Sequence, residues 1–248
     1  MKNKKDFLIP FLVILTFILG LAALITYQTR KDRNDLAVHI AGLGRSGTPA
    51  TIEELKAAIG QYEKQIEAYV QAGAKTGIYW KILASRLQDR GLHNEALEAL
   101  ERAIYYTPED PVLHYLTGIS AATAAKSSHS FPGGDNSARE GLFVLAEEAY
   151  RRAIELDGRY LNPRYGIGVL YVFELDRPEE AVPHLEKYLE ISKSNVDVMF
   201  ILARAYFVTG NFQSAADLYS RIISLTKDEA KRLEAQNNRF AAMERLYG

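Results

Sequence analysis

Small residues recur in this chain at a fixed distance, and that spacing narrows the possible folds more than any other feature. Ala84 and Gly118 stand 34 residues apart, Gly168 and Ala203 stand 35 apart. A second series, Ala96, Ala146, Ala181 and Ala215, advances by 50, 35 and 34. Gly118 to Gly168 is also 50, so both series carry the same 16-residue excess in the same place. Periods of about 20–50 residues mark architectures built by stacking one small unit on the next. The excess falls on residues 126–141, KSSHSFPGGDNSAREG, whose Gly, Pro and Ser content predicts a surface loop inserted into one unit.

Each unit reads as two amphipathic helices joined by a tight turn. In residues 78–110, Trp80, Leu83, Ala84 and Leu87 mark one helical face. Gly91 ends that helix, and Asn94 is placed to cap the next. Ala96, Leu100 and Ala103 mark the second helix, which Pro108 stops. The fourth unit repeats the scheme with Met199, Leu202, Ala203, Tyr206, Gly210, Ala215, Tyr219 and Ile222. The small residues sit where two helices cross, because only Ala or Gly lets the backbones approach.

These residues resemble the tetratricopeptide repeat family. The first unit carries the family's Trp, Leu-small, Gly, Ala, large apolar, Ala and Pro at the family's spacing. The second has Gly118, Ala146, Tyr150 and Ala153, with Gly158 in place of the closing proline. The third has Gly168, Tyr171, Ala181 and Leu185, then Tyr188 where alanine is usual and Lys193 where proline is usual. The resemblance implies an all-α solenoid of four repeats over residues 77–229: 77–110, 111–160 with the insertion, 161–195 and 196–229. A capping box, Thr51-Ile52-Glu53-Glu54, opens a lead-in helix assigned to 51–76. A C-terminal helix over 230–248 is expected to cap the stack, facing it with Leu233, Phe240, Met243 and Tyr247 and leaving a polar outer side.

Residues 7–27, FLIPFLVILTFILGLAALITY, form an uncharged run after a basic stub at 1–6. As a helix this run spans roughly 30 Å, the thickness of a bilayer's hydrocarbon core. It is longer than a signal-peptide core and lacks a small-x-small cleavage site, so an uncleaved single-pass anchor is expected. Lys2, Lys4 and Lys5 flank one end; Arg30, Lys31 and Arg33 flank the other. A short basic N-terminus usually stays in the cytoplasm, which places the repeat body on the extracytoplasmic, periplasmic side. Residues 28–50 then read as a linker.

That linker contains Gly42-Leu43-Gly44-Arg45-Ser46-Gly47, the spacing of a dinucleotide-binding turn. Such a turn needs a helix starting inside the glycines and a second parallel strand about 30 residues on. Pro49 and the Thr51 cap place the helix start too late, and no second strand pattern follows. No cofactor is therefore expected. The chain has no cysteine, which excludes disulfides and thiolate zinc sites. Its histidines, His39, His93, His114, His129 and His184, lack metal-ligand spacing, so no metal is expected. No nucleophile elbow appears, and Glu95, Glu98 and Glu101 read as a solvated helix face with basic partners nearby. With a net charge of −1 overall and the positive excess confined to the membrane-flanking end, the body is a poor match to nucleic acid.

In the tetratricopeptide family the first helix of each repeat lines a concave groove that receives peptides. Carried over by register, the groove would show Lys81, Ser85 and Gln88 at one end, then Tyr115, Ile119, Tyr165, Val169 and Phe173, then Phe200, Arg204 and Phe207. Relatives that clamp a C-terminal carboxylate use a Lys/Asn/Asn/Lys/Arg set; Lys81 matches one member, but Ser85 and Leu116 replace two asparagines. The resemblance implies a non-catalytic, membrane-anchored scaffold for a protein or peptide partner, with no small-molecule substrate. Two alternatives are a holder of unfolded or translocating segments and a non-catalytic subunit of an envelope enzyme complex.

Overall fold

Thr51 and Glu54 form the capping box that the sequence predicts. The Thr51 hydroxyl accepts from the Glu54 amide at 3.1 Å, and Glu54 accepts from the Thr51 amide at 3.2 Å. From this cap, helix α1 runs Ile52–Asp89 in the computed structural model, which describes residues 51–128 and 136–248. The anchor assigned to 7–27 and the glycine-rich linker lie outside the described residues. Among the described residues no helix is long and apolar enough to cross a membrane.

Eight more helices follow among the described residues: α2 His93–Tyr106, α3 Pro111–Ser127, α4 Ser137–Leu156, α5 Leu161–Phe173, α6 Pro178–Ile191, α7 Val196–Val208, α8 Phe212–Leu225 and α9 Glu229–Tyr247. The chain divides into two compact units, residues 1–68 and 69–248, with the boundary inside α1. In the second unit each helix from α2 onward packs on its successor, and α5 also touches α3 and α7 directly. This is a helix-pair stack: α3, α5 and α7 form one layer, and α2, α4, α6 and α8 form the other.

The turns inside repeats one, three and four share one device. Gly91 and Gly210 have φ of +74° and +81°, and Asp176, at the same repeat position, has φ of +52°. This left-handed residue ends the first helix: the amides next after it reach back, Leu92 and Asn211 by five residues to Leu87 and Tyr206, and Arg177 by six to Tyr171. In the first repeat the Leu92 carbonyl already accepts from Ala96, so α2 starts at His93. Asn94 therefore lies inside the first turn and does not cap it. Later starts do use side chains: Asp110 accepts from Val112, Asn195 from Val198, and Asn211 from Ser214.

The core follows the two small-residue series. Ala84, Ala96, Ala146, Ala181, Ala203 and Ala215 are all fully buried. One turn after each member of the second series stands a large buried residue: Leu100, Tyr150, Leu185 and Tyr219. These fill the space the glycines open. A Cβ placed on Gly118 would lie 2.4 Å from the Tyr150 ring, one on Gly166 2.7 Å from the same ring, and one on Gly168 2.5 Å from Leu185. Gly118→Leu is expected to cost about 1–3 kcal/mol by overpacking this crossing, read as a lowered urea midpoint; an unchanged midpoint contradicts the assigned register.

Three sequence expectations change. The lead-in helix assigned to 51–76 does not end there. It continues unbroken into the first repeat, because Gly77 serves a close approach: its added Cβ would lie 2.9 Å from Tyr106. The insertion is partly helical, since α3 extends through Ser127 and α4 begins at Ser137. Arg139 lies 5.0 Å over the Phe143 ring in that extension. Helix α9 turns the opposite face inward. Ala235 and Ala242 are buried, whereas Leu233, Phe240, Met243 and Tyr247 are exposed, so the outer side carries these apolar residues among charged and polar ones. Alanine lets α9 lie close to α8, and Lys231 fixes it to Asp197 of α7 at 2.6 Å.

Candidate functional site

Helices α3 and α5 are neighbours in one layer, and the i, i+4 positions on their shared side line a hollow of 210 Å³. Four predicted groove residues meet there: Tyr115 and Ile119 from α3, Tyr165 and Val169 from α5. Ala122, Thr123 and Lys126 continue the α3 wall, and Glu174 closes the end with an ion pair to Lys126 at 3.2 Å. Sequence reading missed these four because it assigned Lys126 to the insertion; continuing the spacing from Ile119 through Ala122, Thr123 and Lys126 finds three of them.

Tyrosines dominate the other end. Tyr115 stacks edge-on to Tyr160 at 5.3 Å and lies 6.2 Å from Tyr150; Tyr165 lies 6.5 Å from Tyr188. Tyr188, the departure from the family's alanine, is held by the Asn195 side chain at 3.0 Å. Burial raises the phenol pKa of Tyr115, Tyr150, Tyr160 and Tyr165, so all four stay neutral. The hollow presents apolar rings and neutral hydroxyls, with charge only at the Lys126–Glu174 end.

A second hollow, of 260 Å³, collects four more predicted groove positions: Phe173, Phe200, Arg204 and Phe207. Its far wall is α9, through Glu234, Asn238 and Ala241. Arg204 lies over the Phe173 ring at 5.2 Å and is thereby tied to the wall. The capping helix thus borders this end.

The first-repeat residues sit apart from both hollows. Lys81 pairs with Asp110 at 2.7 Å, and Gln88 donates to the Leu116 carbonyl at 2.9 Å and the Ser120 hydroxyl at 2.7 Å. These bonds join α1 to the start and middle of α3. Ser85 is exposed. A third hollow, of 560 Å³, lies between α1 and α2 and is lined by Trp80, Leu83, Leu87 and Ala99 with Glu95, Glu98 and Glu101. Arg102 lines the same hollow, the nearby basic residue that was expected, but none of these glutamates forms an ion pair within 4.0 Å among the described residues.

One polar cluster stands outside the hollows. Glu147 of α4 accepts from Arg177 at 2.8 Å, from the Tyr171 hydroxyl at 2.8 Å and from Arg151 at 3.1 Å. Arg177 also bonds Glu180 of α6, and its guanidinium covers the Tyr171 ring at 4.8 Å. Burial, then the hydrogen bond to Glu147, pushes the Tyr171 phenol up to about 12. The cluster clamps α4, α5 and the start of α6 together. Among the described residues no three His, Asp or Glu side chains gather as an ion site.

Comparison with known proteins agrees with this architecture. A family model described as tetratricopeptide repeat matches residues 172–236, from the end of α5 into α9. Anaphase-promoting complex subunit 3 of Schizosaccharomyces pombe is 26% identical over 146 residues, covering 59% of this chain but 19% of that protein. The chain therefore aligns with less than a quarter of that relative's length. A TPR repeat-containing protein of Borreliella burgdorferi is 20% identical over 193 residues, 77% of this chain and 82% of that one. Among solved structures, YrrB, described as a TPR protein with an unusual peptide-binding site, superposes with a TM-score of 0.53 at 15% identity, over 73% of this chain and 88% of that one. The helix-pair stack, its glycine and alanine crossings and these matches identify an all-α solenoid of the tetratricopeptide type, with a tetratricopeptide repeat model matched at residues 172–236.

Proposed function

We propose that this protein is a non-catalytic scaffold that holds an extended segment of a partner protein along α3, α5 and α7. The observation that carries the reading is the tyrosine-lined hollow between α3 and α5. It opens on the first helices of successive repeats, and α9 does not line it. A side chain of the partner enters between Tyr165 and Ile119, and backbone groups meet the tyrosine hydroxyls and the Lys126–Glu174 end. An apolar pocket with a few fixed polar groups is the usual make-up of a recognition site. The peptide-binding description of YrrB, a protein of the same fold, favours the same class of partner.

In this reading residues 7–27 anchor the chain in a membrane, with the body on the extracytoplasmic side. Anchoring confines the partner to a thin layer at the bilayer and raises its effective concentration. The full chain should stay with membranes after alkaline carbonate washing, and a chain lacking residues 2–27 should not. Recovery of both in the wash would remove the anchor from the account.

Substitution at the hollow tests the binding reading. Tyr165→Ala removes a half-exposed ring without touching the buried core. Loss of a central aromatic is expected to weaken partner capture about tenfold or more, whereas Tyr165→Phe should keep most of it. Equal capture by Tyr165→Ala and wild type would count against the α3–α5 hollow.

A further inference from the structure

The 560 Å³ hollow between α1 and α2 differs from the other two in charge. Its floor is apolar: Trp80, Leu83 and Leu87 of α1 recur at three-four spacing, together with Ala99 of α2. Trp80 is half-buried and Leu83 is 43% exposed, so solvent reaches this floor. Its rim is acidic. Glu95, Glu98 and Glu101 stand on α2 at three-residue steps, and all three are exposed. Among the described residues Arg102 is the only cation in the lining, which leaves the rim net negative.

Elsewhere in the stack, exposed glutamates are matched within their own helix. Glu155, Glu190 and Glu229 each take a cation three residues away. The three rim glutamates form no such pair among the described residues. Carboxylates three residues apart on one helix are neighbours and repel, so a cation brought among them is favoured. An uncovered apolar floor beside this edge fits an occupant that is apolar on one side and cationic on the other. The spacing selects a helix. Three-residue steps on α2 set the carboxylates about 4.5 Å apart along its axis. Successive turns of a helix alongside repeat at about 4.5–6 Å, whereas alternate residues of a strand repeat at about 6.6 Å. The groove between two packed helices is also where a third helix seats its side chains, as α9 does beside Phe200 and Phe207.

We propose that the α1–α2 hollow docks a basic amphipathic helix of a partner protein. Its apolar side lies on Trp80, Leu83 and Leu87, and Lys or Arg on successive turns meet Glu95, Glu98 and Glu101. This site is separate from the tyrosine-lined hollow and selects by a different chemistry. The tyrosine-lined hollow carries charge only in the Lys126–Glu174 pair, which is already satisfied. The α1–α2 hollow selects by charge, so its affinity falls as salt rises.

Trp80 is the single tryptophan of the chain, so its fluorescence reports directly on this floor. The probe is a tryptophan-free peptide of about 14 residues, with Leu and Lys placed at helical spacing, titrated into the full chain in detergent. A saturable blue shift of Trp80 emission is expected. The same peptide with Glu in place of Lys should give none. Glu95→Gln, Glu98→Gln and Glu101→Gln together should weaken the response about tenfold or more, while the variant folds as wild type by circular dichroism, since all three side chains are exposed. Tyr165→Ala, which alters the other hollow, should leave the shift intact. An equal shift with the acidic peptide, or one that survives the three glutamate substitutions, would overturn selection by charge. No shift with the basic peptide would overturn the docking site. Loss of the shift in Tyr165→Ala would place the peptide in the α3–α5 hollow and overturn it equally.

Discussion

Tyr150→Ala is expected to lower unfolding free energy by about 3–5 kcal/mol, the range for removing a buried aromatic side chain. Tyr150 is 4% exposed, and its ring fills the space above two glycines, Gly118 of α3 and Gly166 of α5. Those glycines bring the helices together; the ring occupies what they vacate. Removing it leaves a void that glycine backbones cannot close, because the three helices are fixed by neighbouring crossings. Tyr150→Phe keeps the ring and should cost less than about 1.5 kcal/mol. A double variant, Gly118→Leu with Tyr150→Ala, should be less destabilised than the sum of the two single changes, since the new leucine enters the void. Urea unfolding followed by circular dichroism measures all four; strict additivity would contradict a direct wedge.

The second large effect is expected at Glu147. Its carboxylate receives Arg177, Arg151 and the Tyr171 hydroxyl, so Glu147→Gln disturbs three donors at once. The side chain is 17% exposed, which limits screening by water; a loss of about 1.5–3 kcal/mol at neutral pH follows from charge-assisted hydrogen bonds. Burial alone would raise this carboxyl's pKa, but the hydrogen bonds from Arg177, Tyr171 and Arg151 overcome it and hold the pKa below the ordinary carboxylate value. A carboxyl depressed in the folded state stabilises fully above its unfolded pKa, about 4.3, and the contribution fades as pH falls through the lower folded value. Wild type and Glu147→Gln should therefore differ most in melting temperature near pH 7, with the gap narrowing as pH falls below the unfolded pKa of about 4.3. An equal gap at pH 7 and pH 3 would show that the loss is one of shape, not of charge.

The stack was legible in the sequence because close crossings tolerate few residues. Ala84, Gly118, Gly168 and Ala203 stand at the contacts their spacing predicts, all fully or nearly fully buried. The turns at Gly91 and Gly210 were legible for a similar reason, since left-handed backbone favours glycine. What failed to show were features decided by distant partners. Gly77 looks like a break between two helices, yet it exists to admit Tyr106 from α2. Lys81 and Gln88 look like free groove donors, yet Asp110 and Ser120, 29 and 32 residues on, engage them. In α9 the large apolar residues suggest the buried face, but the distance to α8 selects Ala235 and Ala242. The insertion's composition suggests a loop, while its two flanks extend α3 and α4.

The groove separates along the same line. Tyr115, Ile119, Tyr165 and Val169 come together because repeats two and three are consecutive and their first helices touch. Phe200, Arg204 and Phe207 follow the same register but meet α9, which no repeat spacing foretells.

In the proposed function the α3–α5 hollow receives a segment of another protein. Photo-crosslinking in native membranes, with a benzophenone amino acid at Tyr165 and separately at Phe200, measures this directly. An adduct with a partner protein is expected at Tyr165, identified by mass spectrometry, with Phe200 joining chiefly to residues of α9. Crosslinks from Tyr165 only within its own chain would contradict the claim, because the hollow would then be filled by the protein itself.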